Sequence, residues 1–302
     1  MLLIDPLPIL YKKSRYWTLR NLGRLLLPGT RRVEFTDFWL ADQLCSLTFS
    51  LANLVFVACV YDTEFRPGWN THCGVRGPLW GVSLALNLLP LLVRLIQCIR
   101  RYVDSKLYTH LINAGKYAMG MVAAVVFFYW RHTGQGRGAA FILWCLTSTM
   151  YSLYAGAWDY LMDWSILQPH VEYKGLRADL VYSDHPFLYH VAIVTNTCIR
   201  FIWVIYIPHR GPNVLIRSFL VACLEALRRV QWNFYRVEAE FIGHMDQFRV
   251  TRDVPLPYVF DEGVEDEQDL EETPVGTPWQ RLRAALGRAA NPLSSDEDTP
   301  TK

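Results

Sequence analysis

Acids and bases stand at intervals inside stretches that are otherwise apolar. Asp42 lies in LADQLCSL, Lys116 and Tyr117 in NAGKY, and Asp159 and Asp163 in WDYLMDW. Arg200 and Trp203 follow in TCIRFIWVIY, then Glu225, Arg228 and Arg229 in EALRR. In hydrocarbon each charge costs on the order of 2.5–3.5 kcal/mol, so such residues persist by pairing, by lining water or by snorkelling. Asp42 alone reads as an acid at a helix N-terminus, favoured by the helix dipole. Arg94 stands with Gln97 and Arg101 on one face near a helix end, where snorkelling accounts for it. Glu225 with Arg228 and Arg229 has the spacing of an ion pair within one helix. The glycine–lysine pair of NAGKY lacks the remainder of a phosphate-binding loop and is not read as one.

Asp159 and Asp163, four apart, project from one helical face. They fit a metal site, a proton relay or counter-ions for bases elsewhere. No further carboxylate or histidine stands at ligand spacing, which argues against metal. Arg200 sits too deep in its run to snorkel. The acids at 42, 159 and 163 and the bases at 116, 200, 228 and 229 come from different segments, so a bundle must gather them inward. A path lined by both signs suits a multivalent oxyanion: guanidinium forks grip its oxygens, and nearby carboxylates weaken that grip so that it leaves. A purely structural ion-pair network is the alternative.

The segments that carry these residues are long. The chain has 302 residues, 52% of them hydrophobic and 14% aromatic, and the apolar ones are gathered into runs. A membrane helix needs about 20 mostly apolar residues. Six stretches qualify, near 43–61, 78–98, 116–130, 139–157, 188–208 and 213–231; the third begins earlier, near Leu111, and the sixth is weakened by Arg217, Glu225, Arg228 and Arg229. The expected fold is all-α, a multi-pass membrane bundle of about six helices. Lys12, Lys13, Arg15, Arg20, Arg24, Arg31 and Arg32 precede the first span, and Arg100, Arg101, Lys106, Lys174 and Arg177 mark the even loops. Basic residues favour the cytoplasmic side, which places both termini there.

Residues 1–38 form a basic, aromatic lead-in at the membrane surface, 39–257 the transmembrane domain, and 258–302 a disordered acidic tail. Within the tail, Trp279 to Ala290 is an amphipathic stretch that fits a surface helix. Net charge is +2, without a basic stripe interleaved with aromatics, so nucleic acid is not an expected partner. The seven cysteines show no paired spacing, and all but Cys73 fall in apolar runs; neither a disulfide nor a zinc site is expected. Met1 to Leu10 is broken by Pro6 and Pro8 and does not read as a signal peptide.

YKKSRYWTLRNLGRLL, DFWLADQLCSL, LLVRLIQCIRRYVDS, HLINAGKY, WDYLMDW, IRFIW, EALRRVQWNFYRVEAEF and FRVTRDVPLP, in this order from Tyr11 to Pro257, resemble the EXS domain. That domain is found in phosphate exporters of the retrovirus-receptor type, in fungal and plant relatives, and in a Golgi protein. The resemblance implies export of inorganic phosphate through a helical bundle, as a passive channel or facilitator rather than an enzyme, with no cofactor. By motif it assigns Asp42, Lys116, Tyr117, Asp159, Asp163, Arg200, Arg228 and Arg229 to the phosphate path. Trp203 is then a gate and Glu225 balances charge. Full-length exporters carry an SPX domain before this region, and nothing here resembles it. Cys45 replaces the asparagine or other polar residue of many relatives.

The bilayer and phosphate are the expected partners, with a second copy in a homodimer and cytoplasmic proteins at the tail as further candidates. The membrane is the Golgi or plasma membrane. The rival readings are a non-transporting Golgi adaptor and a membrane transferase using Asp159 and Asp163; the transferase lacks the dense acidic signature that such enzymes use for metal.

Overall fold

A computed structural model describes residues 11–134, 136–168, 175–177, 179–208 and 211–252. All regular structure among them is helical. Helix α1 (Lys12–Leu25) is followed by α2 (Phe35–Cys45), α3 (Thr48–Asp62) and the single turn α4 (Trp69–His72). The long helices α5 (Trp80–Ser105), α6 (Tyr108–His132) and α7 (Ala139–Trp158) form an antiparallel series, α5 against α6 and α6 against α7, with α2 and α3 packed on α5. Helix α8 (Phe187–Arg200) and α9 (Val214–Arg252) pack on each other and complete the bundle. The acidic tail with its amphipathic stretch, and residues 1–10, lie outside the described residues.

Four segments are long and apolar enough to cross a membrane: Trp80–Ser105, Tyr108–His132, Ala139–Asp163 and Phe187–Tyr206. Helices α2 and α3 supply a fifth if their pair, bent by 55°, counts as one span. Among the described residues, length and composition thus qualify five of the six stretches read from the sequence, the bent pair included. Helix α9 fails the test because charges interrupt 213–231, although it runs for 39 residues. Surface and interior follow membrane logic. Leu54, Val122, Leu146, Val194 and Phe219 face outward, whereas Asp42, Arg94, Lys116, Asp159, Asn196 and Arg228 are buried. Lipid solvates apolar side chains as well as a core does, so ionic groups collect inside, where they find partners.

Two breaks place polar groups at mid-bundle. Helix α7 ends in a π-helical turn, Asp159–Asp163, and α8 ends at Arg200, continuing as a 3₁₀ turn, Ile202–Tyr206. Freed backbone groups are tolerated at such depth where a neighbour satisfies them. Ser152 of α7 does this, donating to the Arg200 carbonyl at 2.7 Å, and Trp203 Nε1 donates to the same hydroxyl at 3.1 Å. The entry of α2 is fixed by a reciprocal cap. Asp37 accepts from the Glu34 backbone at 3.0 Å and takes Arg24 of α1 at 3.0 Å, holding the lead-in helix to the bundle.

Small residues set the α6–α7 spacing. A Cβ on Gly120 would stand 2.8 Å from Tyr151 Cε2, and one on Gly115 3.0 Å from Tyr154 Oη. Only glycine leaves those rings their places.

The expectation of no disulfide is overturned: Cys59 at the end of α3 is bonded to Cys73 after α4. The apolar run around Cys59 hid its role. The chain turns back through α4 and brings Cys73 to it with a Cα separation of 5.6 Å. His72 Nδ1 lies 3.7 Å and 3.9 Å from the two sulfurs, which are already joined to each other.

Candidate polar site within the bundle

Asp159, at the π turn, is the hub. Its Oδ2 accepts from Arg200 Nε at 3.0 Å and Nη2 at 2.7 Å, from Asn196 Nδ2 at 3.1 Å, and from Arg228 Nη1 at 3.4 Å. Arg228 also bonds Asn196 Oδ1 at 3.1 Å and forks onto Glu225 at 2.6 Å and 2.7 Å. Glu225 accepts from Ser46 Oγ at 2.9 Å, and that oxygen accepts from Arg229 Nε at 2.8 Å. One chain of hydrogen bonds thus runs from α2–α3 through α9 to α7 and α8. Arg228 and Asp159 are each 1% exposed, which makes the pairing obligatory: either charge without its partner would be stranded in a medium that cannot solvate it.

A second cluster sits beside the first. Arg94 Nε is 2.8 Å from Asp42 Oδ1 and 2.9 Å from Tyr117 Oη, and Tyr117 donates to Asp42 at 2.6 Å. Arg94 Nη1 donates to Gln97 at 2.8 Å, and Gln97 donates to the Asp37 carbonyl. Snorkelling is therefore not what Arg94 does; it is 3% exposed and points inward. Asp42 likewise is not an N-terminal acid. It stands in the second half of α2, and the span boundary read at 43 falls within that helix.

Two bases in this region have no carboxylate within ion-pair distance among the described residues: Lys116 and Arg229. The Lys116 ammonium lies over the rings of Tyr117 (4.5 Å) and Trp158 (5.2 Å), and Arg229 stacks on Trp232 (4.5 Å). Both face a pocket of about 30 Å³, lined also by Asp42, Asp159 and Asp163. Asp163 makes no ion pair at contact distance with any described base. The π turn changes the angular step between it and Asp159 from that of an α-helix, so the two carboxylates take different partners.

Above the pocket opens a cavity of about 690 Å³. Cys45, Tyr151, Arg200 and Glu225 line both spaces and form the septum between them. Trp203 lines the large cavity only, with its edge on Trp144 at 5.4 Å. The structure thus gathers Asp42, Lys116, Tyr117, Asp159, Asp163, Arg200, Glu225, Arg228 and Arg229 into one region and sets Trp203 in the wall above it. Sequence reasoning missed Arg94, Asn196, Tyr151 and Ser152. Asn196 had a visible signal, four residues before Arg200 and so on its helical face. Tyr151 and Ser152 had none, because their roles arise from the α6–α7–α8 contacts.

The EXS family matches residues 1–242. The chain belongs to the EXS family. Among curated relatives, "Phosphate transporter PHO1-1" of Oryza sativa subsp. japonica is 33% identical over 263 residues, covering 85% of this chain and 32% of that protein. "Solute carrier family 53 member 1" of Homo sapiens is 34% identical over 277 residues, covering 84% of this chain and 39% of the relative. "Protein SYG1" of Saccharomyces cerevisiae is 34% identical over 275 residues, covering 85% and 29%. The EXS chain spans less than two fifths of the length of each of these relatives. The family's shared segment is the helical bundle that carries the polar site.

Proposed function

We propose that this EXS protein passes inorganic phosphate through its helical bundle as a channel or facilitator, with Lys116 and Arg229 as the groups that hold the ion. The observation that carries this reading is the unequal pairing of the bases. Arg94, Arg200 and Arg228 are engaged by Asp42, Asp159 and Glu225, whereas Lys116 and Arg229 face the pocket without a carboxylate partner. A tetrahedral dianion supplies the acceptors that they lack, and the surrounding acids keep its residence short. The tyrosine hydroxyl of Tyr117 and the guanidinium of Arg200 border the same route. The names of two relatives, a phosphate transporter and a solute carrier, support transport as the class of activity.

The large cavity opens at the end of the bundle that carries the α3–α5 and α6–α7 loops, which the distribution of basic residues assigns to the non-cytoplasmic side. The Cys59–Cys73 disulfide supports the same assignment, because disulfides persist in oxidising compartments. The small pocket has the volume of roughly one water molecule's share of the liquid. In this conformation the route is open outward and closed at the septum, with Trp203 above it as the gate. The segment ahead of α2, with Tyr16, Trp17, Leu26 and Leu27 exposed, serves in this reading as the membrane-surface lead-in.

Phosphate flux from proteoliposomes tests the reading. Lys116→Gln and Arg229→Gln are each expected to lower the flux by about tenfold or more, as loss of a hydrogen bond to a charged group predicts, with membrane insertion intact. Wild-type flux in both variants would remove these two residues from the path. No flux from folded wild-type protein would favour the adaptor reading.

A further inference from the structure

A second basic pair lies at the mouth of the large cavity, apart from the ionic network. Arg76, on the loop after α4, and Arg131, in the last turn of α6, both line that cavity. The loop is fixed where it stands. Cys73, three residues before Arg76, is held by the disulfide; His132 Nδ1 is 3.0 Å from the Val75 carbonyl; and Trp80 stacks on His132 with centroids 4.6 Å apart. Gly134 has φ +106°, and a Cβ there would stand 3.7 Å from Arg76 Nη2, so this guanidinium lies against the end of α6. Arg131 stacks over Phe127 at 5.6 Å, and its Nε is buried without a hydrogen-bond partner.

Neither arginine forms a salt bridge among the described residues, in contrast to Arg94, Arg200 and Arg228. The negative end of the α6 dipole favours one cation at Arg131. It does not account for a second cation on an immobilised loop beside it, since like charges at close range repel. A bound anion removes that repulsion and gives the orphaned Nε an acceptor.

We infer that Arg76 and Arg131 form a separate binding site for a tetrahedral oxyanion at the cavity mouth. The choice of phosphate as its ligand rests on the transport reading above. An ion leaving the septum would meet this pair before reaching bulk water, and phosphate outside would fill it from the other direction. The site is therefore the last station of the path and the place where external phosphate acts back on it.

The test is protection from phenylglyoxal, a guanidinium-selective reagent, read by peptide mass spectrometry on the purified chain in nanodiscs with added inorganic phosphate. Phosphate is expected to slow modification of Arg76 and Arg131 with a common midpoint, chloride at equal ionic strength to do so far less, and Arg76→Gln to raise the Arg131 midpoint by about tenfold. Arg76 is exposed on a loop, so its replacement leaves the fold intact. The same protection is expected in Lys116→Gln. Equal protection by chloride, no protection of Arg131 by phosphate, an unchanged midpoint in Arg76→Gln, or loss of protection in Lys116→Gln would each overturn the site. Protection in wild-type protein that carries no flux would refute the transport reading and leave this site standing.

Discussion

At the scale of single residues, the bases of the bundle divide into those paired with carboxylates and those without an ion pair among the described residues, which we propose hold the ion. Arg228 is the clearest of the first kind, buried and shared by Asp159, Asn196 and Glu225. Its removal takes the guanidinium fork from Glu225 and the second cation from Asp159, which keeps Arg200, a cost of up to about 3–5 kcal/mol by the behaviour of broken buried pairs. Arg228→Ala is therefore expected to lower the melting temperature in detergent strongly, and any loss of flux would follow from misfolding. Lys116→Gln removes a cation that lies over aromatic rings and shares its pocket with Asp42, Asp159 and Asp163 without forming an ion pair at contact distance, and is expected to lower the melting temperature far less than Arg228→Ala. Equal melting shifts for the two would contradict this division. The sequence showed which charges lay in apolar runs but not which were mutually satisfied; pairing is a property of distances between helices.

The helices matter through their interruptions. The π turn at Asp159, the end of α8 at Arg200 and the bend between α2 and α3 each aim polar groups into the bundle. None was legible in the sequence, because hydropathy averages over a turn or more and passes smoothly across a break of a few residues. WDYLMDW continues an apolar span, and its Asp–Asp spacing reads as a regular α-helical face until the backbone is seen. Contacts between helices are equally specific. Gly120 gives the Tyr151 ring its position at the septum, so Gly120→Ala must push that ring by some tenths of an ångström or more. Flux from Gly120→Ala is expected to fall by about tenfold, the equivalent of roughly 1.4 kcal/mol, and Gly120→Ala with Tyr151→Leu should recover part of it. Failure of the second change to help would place the effect elsewhere than at the septum.

For the whole molecule, the decisive asymmetry is between the two ends of the bundle. One carries the disulfide, the Arg76–Arg131 pair and the opening of the large cavity; the other carries the α5–α6 connection and α1. The orientation we propose, with both termini cytoplasmic, rests on the basic residues and makes a prediction independent of transport. A short glycosylation acceptor inserted at 66–68 or 134–138 is expected to be modified in a microsomal assay, and one inserted at 105–107 is not. The reverse pattern would invert the bundle and turn the cavity mouth toward the cytoplasm.

The sequence by itself determined the class of the protein. Long apolar runs can be solvated only by lipid or by each other, and the ionisable residues among them had to turn inward, so the bundle and most of its polar site were legible through Asp42, Lys116, Asp159, Arg200 and Arg228. The sixth stretch, within α9, carries too many charges to pass on hydropathy, and the sequence misjudged Arg94 and Cys59 because burial and pairing depend on what the neighbouring helix presents. Tertiary structure alone decided that Arg94 serves Asp42, that Cys59 meets Cys73, and that Lys116 and Arg229 form no contact-distance ion pair among the described residues. Composition and spacing fix what each segment must bury; only the packing of segments fixes which buried charges meet and which stand apart.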